Sequence, residues 1–184
     1  MSRYWRSAIL SCGLVVTMLL TACSGNDAQP TAPSATNSDG IDSDSALYAF
    51  VTQTQPFASY ARFPNVDVIR SGSSAHQPLV LVSMNATASA ALQNGRLPAG
   101  TKFPDGSVIL KEVRIAENGP PSIYAVMYKN PNNSRAGGGW VWAEFRPGGS
   151  VAYSTNDRGG GCTGCHSLAQ GLQNDLVRTF ERQQ

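Results

Sequence analysis

Histidine is almost missing from this sequence of 184 residues, which holds only His76 and His166, and cysteine is scarce, with four. Charge of either sign is in short supply and nearly balanced, at 14 basic against 12 acidic residues. Two of the basic residues, Arg3 and Arg6, stand at the very start, and setting them aside leaves 12 of each sign. A neutral domain offers no field for a phosphate backbone, so nucleic acid is not an expected partner. There is no long run of one charge and no internal repeat. The apolar stretch at residues 9–20 is too short to cross about 30 Å of hydrocarbon comfortably as a helix, which needs about 20 residues.

What is present at the N-terminus reads as an address for export. Arg3 and Arg6 precede the apolar stretch, and the small-residue site Leu20-Thr21-Ala22-Cys23 follows it. That site looks like a bacterial lipobox, which makes residues 1–22 a lipoprotein signal peptide and Cys23 the acylated first residue of the mature chain. A plain signal peptide cut after Ala22 is the alternative. Ser24, in place of an aspartate, is similar to an outer-membrane destination. The expected location is the periplasmic side of the bacterial envelope, held by lipid. Residues 23–45 are rich in Ser, Thr, Asp, Asn, Pro and Gly and cannot bury a core, so a disordered tether is expected there. The globular domain is expected over residues 46–184, about 140 residues and enough for one core.

With Cys12 removed and Cys23 acylated, the domain keeps two thiols, Cys162 and Cys165. In an oxidising compartment such a pair could be a disulfide. His166 changes the reading, because it completes Cys162-Thr163-Gly164-Cys165-His166. Two thiols three positions apart on a tight turn can reach both vinyl groups on one side of a porphyrin, and the adjacent imidazole then falls beneath the iron. C-x-x-C-H is the signature of c-type haem attachment for that reason. Zinc would want two more Cys or His ligands nearby. A thioredoxin-like redox pair would sit early, between a strand and a long helix, whereas this one lies near the C-terminus. One covalently attached haem c is therefore expected, with His166 as iron ligand.

The pattern around the motif is mixed. Residues 45–55 and 87–93 read as helices. Leu79-Val80-Leu81-Val82 reads as a buried strand within 78–85, and 107–115, 122–129 and 139–145 as three more, separated by Gly/Pro turns such as Pro104-Asp105-Gly106 and Arg146-Pro147-Gly148-Gly149. Residues 167–182 read as a closing helix, with Leu168, Leu172, Leu176 and Phe180 at four-residue spacing. The expected class is α+β, an antiparallel sheet of about four to five strands with flanking helices and a haem-bearing C-terminal helix. No methionine follows the motif, which sets aside the small cytochromes whose second ligand is a downstream methionine.

Four motifs then share one order. Asn85 to Ala91 resembles an N-x-x-A helix start, and Phe103-Pro104-Asp105-Gly106 through Lys111-Glu112 resembles an F-P-x-G-x-x-x-x-K-E strand. Gly139-Trp140-Val141-Trp142 looks like a tryptophan strand. Cys162 to His166, followed by Asp175 and Phe180, looks like a haem helix. The set resembles the cytochrome P-460 and cytochrome c′-beta family, from about His76 to Phe180.

That resemblance implies a homodimer with a five-coordinate haem, His166 on one side and an open face for a small diatomic or nitrogenous ligand such as NO. It also implies a periplasmic redox partner protein. Lys111 matches the lysine that P-460-like members join covalently to the porphyrin edge when they oxidise hydroxylamine, and that c′-beta members carry without the bond. On alternation it shares a face with Ile109, Val113 and Ile115. The oxidising members carry an arginine and a glutamate on strands that correspond here to 79–84 and 123–128, which hold no charge. Their absence implies an apolar distal pocket suited to gases, with P-460-type oxidation or a six-coordinate electron carrier as alternatives. Glu144, His76, Met84 and Met127 are the further candidates: Glu144 as a base, the other three as a sixth ligand. The bland reading is a solvated or paired glutamate, a surface loop histidine and two core methionines.

Overall fold

The computed structural model describes residues 39–66, 68–70, 76–168 and 170–183. The expected signal peptide, Cys23 and the tether as far as residue 38 lie outside the described residues. One edge of the sheet is made of two short pieces, β1 (Ala61–Arg62) and β2 (Val68–Arg70), both antiparallel to β3 (Leu79–Met84). The chain then runs through β4 (Val108–Arg114), β5 (Pro121–Lys129), β6 (Trp140–Phe145) and β7 (Val151–Tyr153), each antiparallel to the one before. Among the described residues seven segments thus fill six positions, and the α+β class stands with slightly more strands than the expected four to five. Gly148 and Gly149 make the turn between β6 and β7 at φ 89 each, a backbone region in which a Cβ is strained.

Among the described residues, three short helices flank the sheet: α1 (Asp44–Ala49), α2 (Ala86–Ala90) and α3 (Gly160–His166). The Ser43 side chain accepts from the Ala46 N–H to cap α1, and Asn85 accepts from the Ala88 N–H to cap α2. A π-helical stretch at Phe50–Thr54 carries α1 onward. Packing reaches back past the expected start at residue 46, for Ile41 is 2% exposed within the core.

Alternation along the strands feeds two cores. Val82, Met84, Ile109, Met127 and Trp142 face one that also holds Phe103, Leu176 and Phe180. Val108, Leu110, Val126 and Val141 face the other, against Leu47 of α1 and Val51. A sheet covered on both faces produces strands apolar at nearly every position, as in the Leu-Val-Leu-Val of β3.

Two expectations are corrected. Residues 167–182 form no continuous helix. The haem motif instead lies on α3, and beyond it come 3-10 turns at Leu172–Asn174 and Arg178–Arg182. Asp175 and Leu176 hold left-handed conformations, at φ 52 and 69, which stop a helix. The four-residue spacing therefore does not form one face: Leu168 and Leu172 are 58% and 69% exposed, while Leu176 and Phe180 are buried. Ile115 does not share the Lys111 face either. The register against β5 shifts between Val113 and Arg114, β4 ends there, and Ile115 is exposed.

Candidate functional site

Cross-strand pairing places two rows of side chains on one face of the sheet. Ile109 lies opposite Met127, which lies opposite Trp142; beside them Lys111 lies opposite Ala125, which lies opposite Glu144. Side chains directly opposite stand about 5 Å apart at Cβ, and a methyl in the middle position leaves a gap between the longer neighbours. His76, from the segment before β3, spans that gap. Its Nδ1 is 3.3 Å from Lys111 Nζ and its Nε2 is 2.8 Å from Glu144 Oε1. The network is satisfied when the ammonium donates to Nδ1 and the Nε2–H donates to the carboxylate. Burial pulls the Lys111 ammonium down to about 8, so part of it is free amine near neutral pH.

In front of these rows lies an open cavity with about 440 Å³ of space between its walls, the open mouth included. Its other wall comes from α3 and the chain after it: Cys162, His166, Val177, Arg178 and Thr179 line it. Cys162 and Cys165 both carry free, half-buried thiols, and burial pushes the Cys162 thiol up to about 11. Arg178 holds Cys165, with Nη1 3.3 Å from its carbonyl oxygen and 3.1 Å from its sulfur. The same guanidinium makes two 2.9 Å bonds to Glu181.

His166 is fixed from two directions. Its Nδ1 lies 2.7 Å from the Leu176 carbonyl oxygen, so Nδ1 carries the proton and Nε2 is the nitrogen left for a metal. Its ring meets Trp142 edge-on at 4.8 Å between centroids, and the Trp142 Nε1–H donates to the Gly137 carbonyl. Burial drives His166 down to about 4, and the neutral ring that results is the ligating form. Close approach is possible because glycines stand at the contacts. A Cβ on Gly171 would lie 1.7 Å from the His166 carbonyl oxygen, and one on Gly159 would lie 2.5 Å from Trp142 Cδ1.

The family model described as Cytochrome P460 matches residues 61–179, which take in the sheet from β1, the cavity walls and α3. The chain belongs to the cytochrome P460 family. No curated protein matches it. As a cytochrome of this family it is a haem protein, and the residues present fit such a group. One wall of an open, mainly apolar cavity presents a neutral imidazole with its second nitrogen engaged, beside two free thiols at the spacing of the attachment motif.

The structure brings together most of the residues singled out from the sequence of this cytochrome. Lys111, Cys162, His166, Glu144 and Met127 all line the cavity. Met84 does not; it is fully buried in the core beneath α2. His76 is corrected, for it is no surface histidine but part of the cavity wall, and Glu144 is paired with it. The expected apolar pocket is mainly apolar, with polar groups added to it. Charge is absent from β3 and from residues 123–128 of β5, yet it arrives from β6 and from the loop before β3. Arg178 and Ala125 carried no signal of their own in the sequence, because only the strand register and the fold of the last 20 residues bring them to the site.

Proposed function

We propose that this cytochrome holds one haem c, bound through thioether bonds to Cys162 and Cys165 with His166 on the iron, and that it takes up a small nitrogen oxide such as NO. The observation that carries the reading is the hydrogen bond from His166 Nδ1–H to the Leu176 carbonyl, which leaves Nε2 as the metal-binding nitrogen at the wall of a mainly apolar cavity. Haem bound there would supply a redox-active iron able to take up a small uncharged ligand. Ile109, Ala125, Met127 and Val177 make walls that favour such a ligand over a charged one.

A second reading, oxidation of hydroxylamine, is favoured by the Lys111–His76–Glu144 chain. Removing electrons from an N–H substrate also removes protons, and Glu144 with His76 forms an acid–base pair in the cavity that could receive them. In that reading Lys111 is joined to the porphyrin edge. The mature protein would be the globular part behind a tether, anchored by acylated Cys23 to the outer membrane on its periplasmic side. It would work as a homodimer with a periplasmic redox protein.

The optical spectrum of the purified, reduced protein tests both readings, recorded before and after denaturation and with CO added. An ordinary ferrous c-haem spectrum that survives denaturation on the polypeptide and shifts with CO supports the open-site binder. A broad, red-shifted band that persists after denaturation supports the cross-linked oxidase, and Glu144→Gln should then cut hydroxylamine turnover by about 10²–10⁴-fold. A sharp low-spin spectrum indifferent to CO overturns both in favour of a six-coordinate carrier, with Met127 or His76 as the ligand to substitute. Haem that is released on denaturation overturns the attachment to Cys162 and Cys165.

A further inference from the structure

The Leu176 carbonyl that receives His166 Nδ1–H sits in a strained piece of backbone. Asp175 and Leu176 both have positive φ, a region that branched side chains rarely occupy and that persists only where the surroundings over-determine it. Here they do. Lys129 Nζ lies 2.7 Å from Asp175 Oδ2 and 2.9 Å from Oδ1, and the two side chains are only 4% and 5% exposed. The Phe103 N–H donates to Oδ2 at 3.0 Å, and the Trp140 Nε1–H donates to the Asp175 carbonyl at 2.8 Å. The Lys129 ammonium also stands 4.9 Å from the centre of the Trp140 ring, and the Leu176 N–H donates to the Gly171 carbonyl at 2.7 Å.

Stability alone does not explain this arrangement. A buried ion pair loses hydration on both sides, and apolar residues of the same volume often serve a core as well or better. What the pair adds is direction. Lys129 comes from the end of β5, Trp140 from the start of β6 and Phe103 from the segment leading into β4, so three parts of the framework converge on one residue. That residue is bonded directly to the one whose carbonyl orients His166.

We propose that the buried Lys129–Asp175 pair, together with Trp140, positions His166, holding the Leu176 carbonyl where it takes the Nδ1 proton and so setting the strength of the iron–histidine bond. This rests on His166 as the iron ligand proposed above. A hydrogen bond from Nδ1–H makes the opposite nitrogen a stronger donor, and outer partners of this kind tune both the ligand and the metal. Loosening the carbonyl weakens that donation, which lowers the iron–histidine stretching frequency of the ferrous protein and raises its reduction potential.

The test uses the full-length, haem-loaded protein and reads two properties besides activity, the ferrous iron–histidine Raman band and the midpoint potential. Asp175→Asn keeps the shape and removes the charge, and Trp140→Phe removes the N–H donor to the Asp175 carbonyl. Both should lower the band and raise the potential, and Asp175→Glu should restore part of each. Glu112→Gln breaks different ion pairs, to Arg114 and Arg62, and Glu112 alternates with Lys111 onto the other face of the sheet. It should lower thermal stability and leave band and potential alone. If Asp175→Asn does not fold, Trp140→Phe decides. A wild-type band that the variants leave in place, or one that Glu112→Gln moves equally, overturns this inference alone. A wild-type protein with no iron–histidine band overturns the ligand reading and this inference with it.

Discussion

Gly171 has an ordinary helical backbone, with φ −57, yet no side chain fits there, because a Cβ would lie 1.7 Å from the His166 carbonyl oxygen. The obstacle is backbone and not the end of a flexible chain, so relief requires the segment to move away from α3. Gly171→Ala should therefore cost about 2–3 kcal/mol, the upper part of the range for overpacking. In thermal unfolding followed by circular dichroism, that corresponds to a midpoint lower by about 4–12 °C for a protein of this size. An unchanged midpoint would mean that the close approach has no energetic consequence. His76 shows the limit of reading residues one at a time. Its neighbours Ser73, Ser74 and Gln77 are polar, and nothing in a polar loop says that the ring will reach Glu144, 68 positions away. The attachment motif was legible because its chemistry lies within five consecutive residues. The Lys111–His76–Glu144 chain was not, because three separate parts of the fold make it.

At the level of elements, the rows across β4, β5 and β6 decide what the cavity can hold. Ala125 separates Lys111 from Glu144 with a methyl, and Ala125→Leu would put a branched side chain into the gap that His76 now spans. CO uptake by the reduced protein should fall by about tenfold or more, while the thermal midpoint should move by no more than a few degrees. That contrast fits an added side chain that fills open space in preference to overfilling the core. Full CO affinity in the variant would show that the ligand does not use this part of the cavity. The central strands were readable from apolar runs between Gly/Pro turns, and the class followed from their order. β1, β2 and β7, at two or three residues each, are too short to show a period. The closing segment misled for another reason. Leu168, Leu172, Leu176 and Phe180 keep helical spacing, but two left-handed residues, pinned by Lys129, Phe103 and Trp140, divide the segment. Tertiary contacts set the local conformation there and override the pattern.

On the scale of the whole molecule, the stretch ahead of α1 acts as a strap. Ile41 enters the core on the α1 side, and its carbonyl accepts from the Asn133 side chain at 2.7 Å. Asp44 accepts from the Ser154 hydroxyl at 2.8 Å and from the Thr155 N–H at 2.6 Å, which ties the start of the domain to the turn leading into α3. A protein lacking residues 1–45 should accordingly be less stable than one lacking only 1–38. The difference should be about 3 kcal/mol, from one buried isoleucine and one helix cap. Urea unfolding of the two truncations measures it, and coincident curves would place the start of the domain at residue 46 after all. The two-sided sheet has a wider consequence. Because neighbouring residues on a strand serve opposite faces, positions that pack the core on the α1 side and positions that line the cavity are interleaved in the chain. Val108 and Leu110 can stay unchanged while Lys111 and Ala125 vary. A lineage built on this sheet can reshape the cavity by point substitution, without having to discover a new fold.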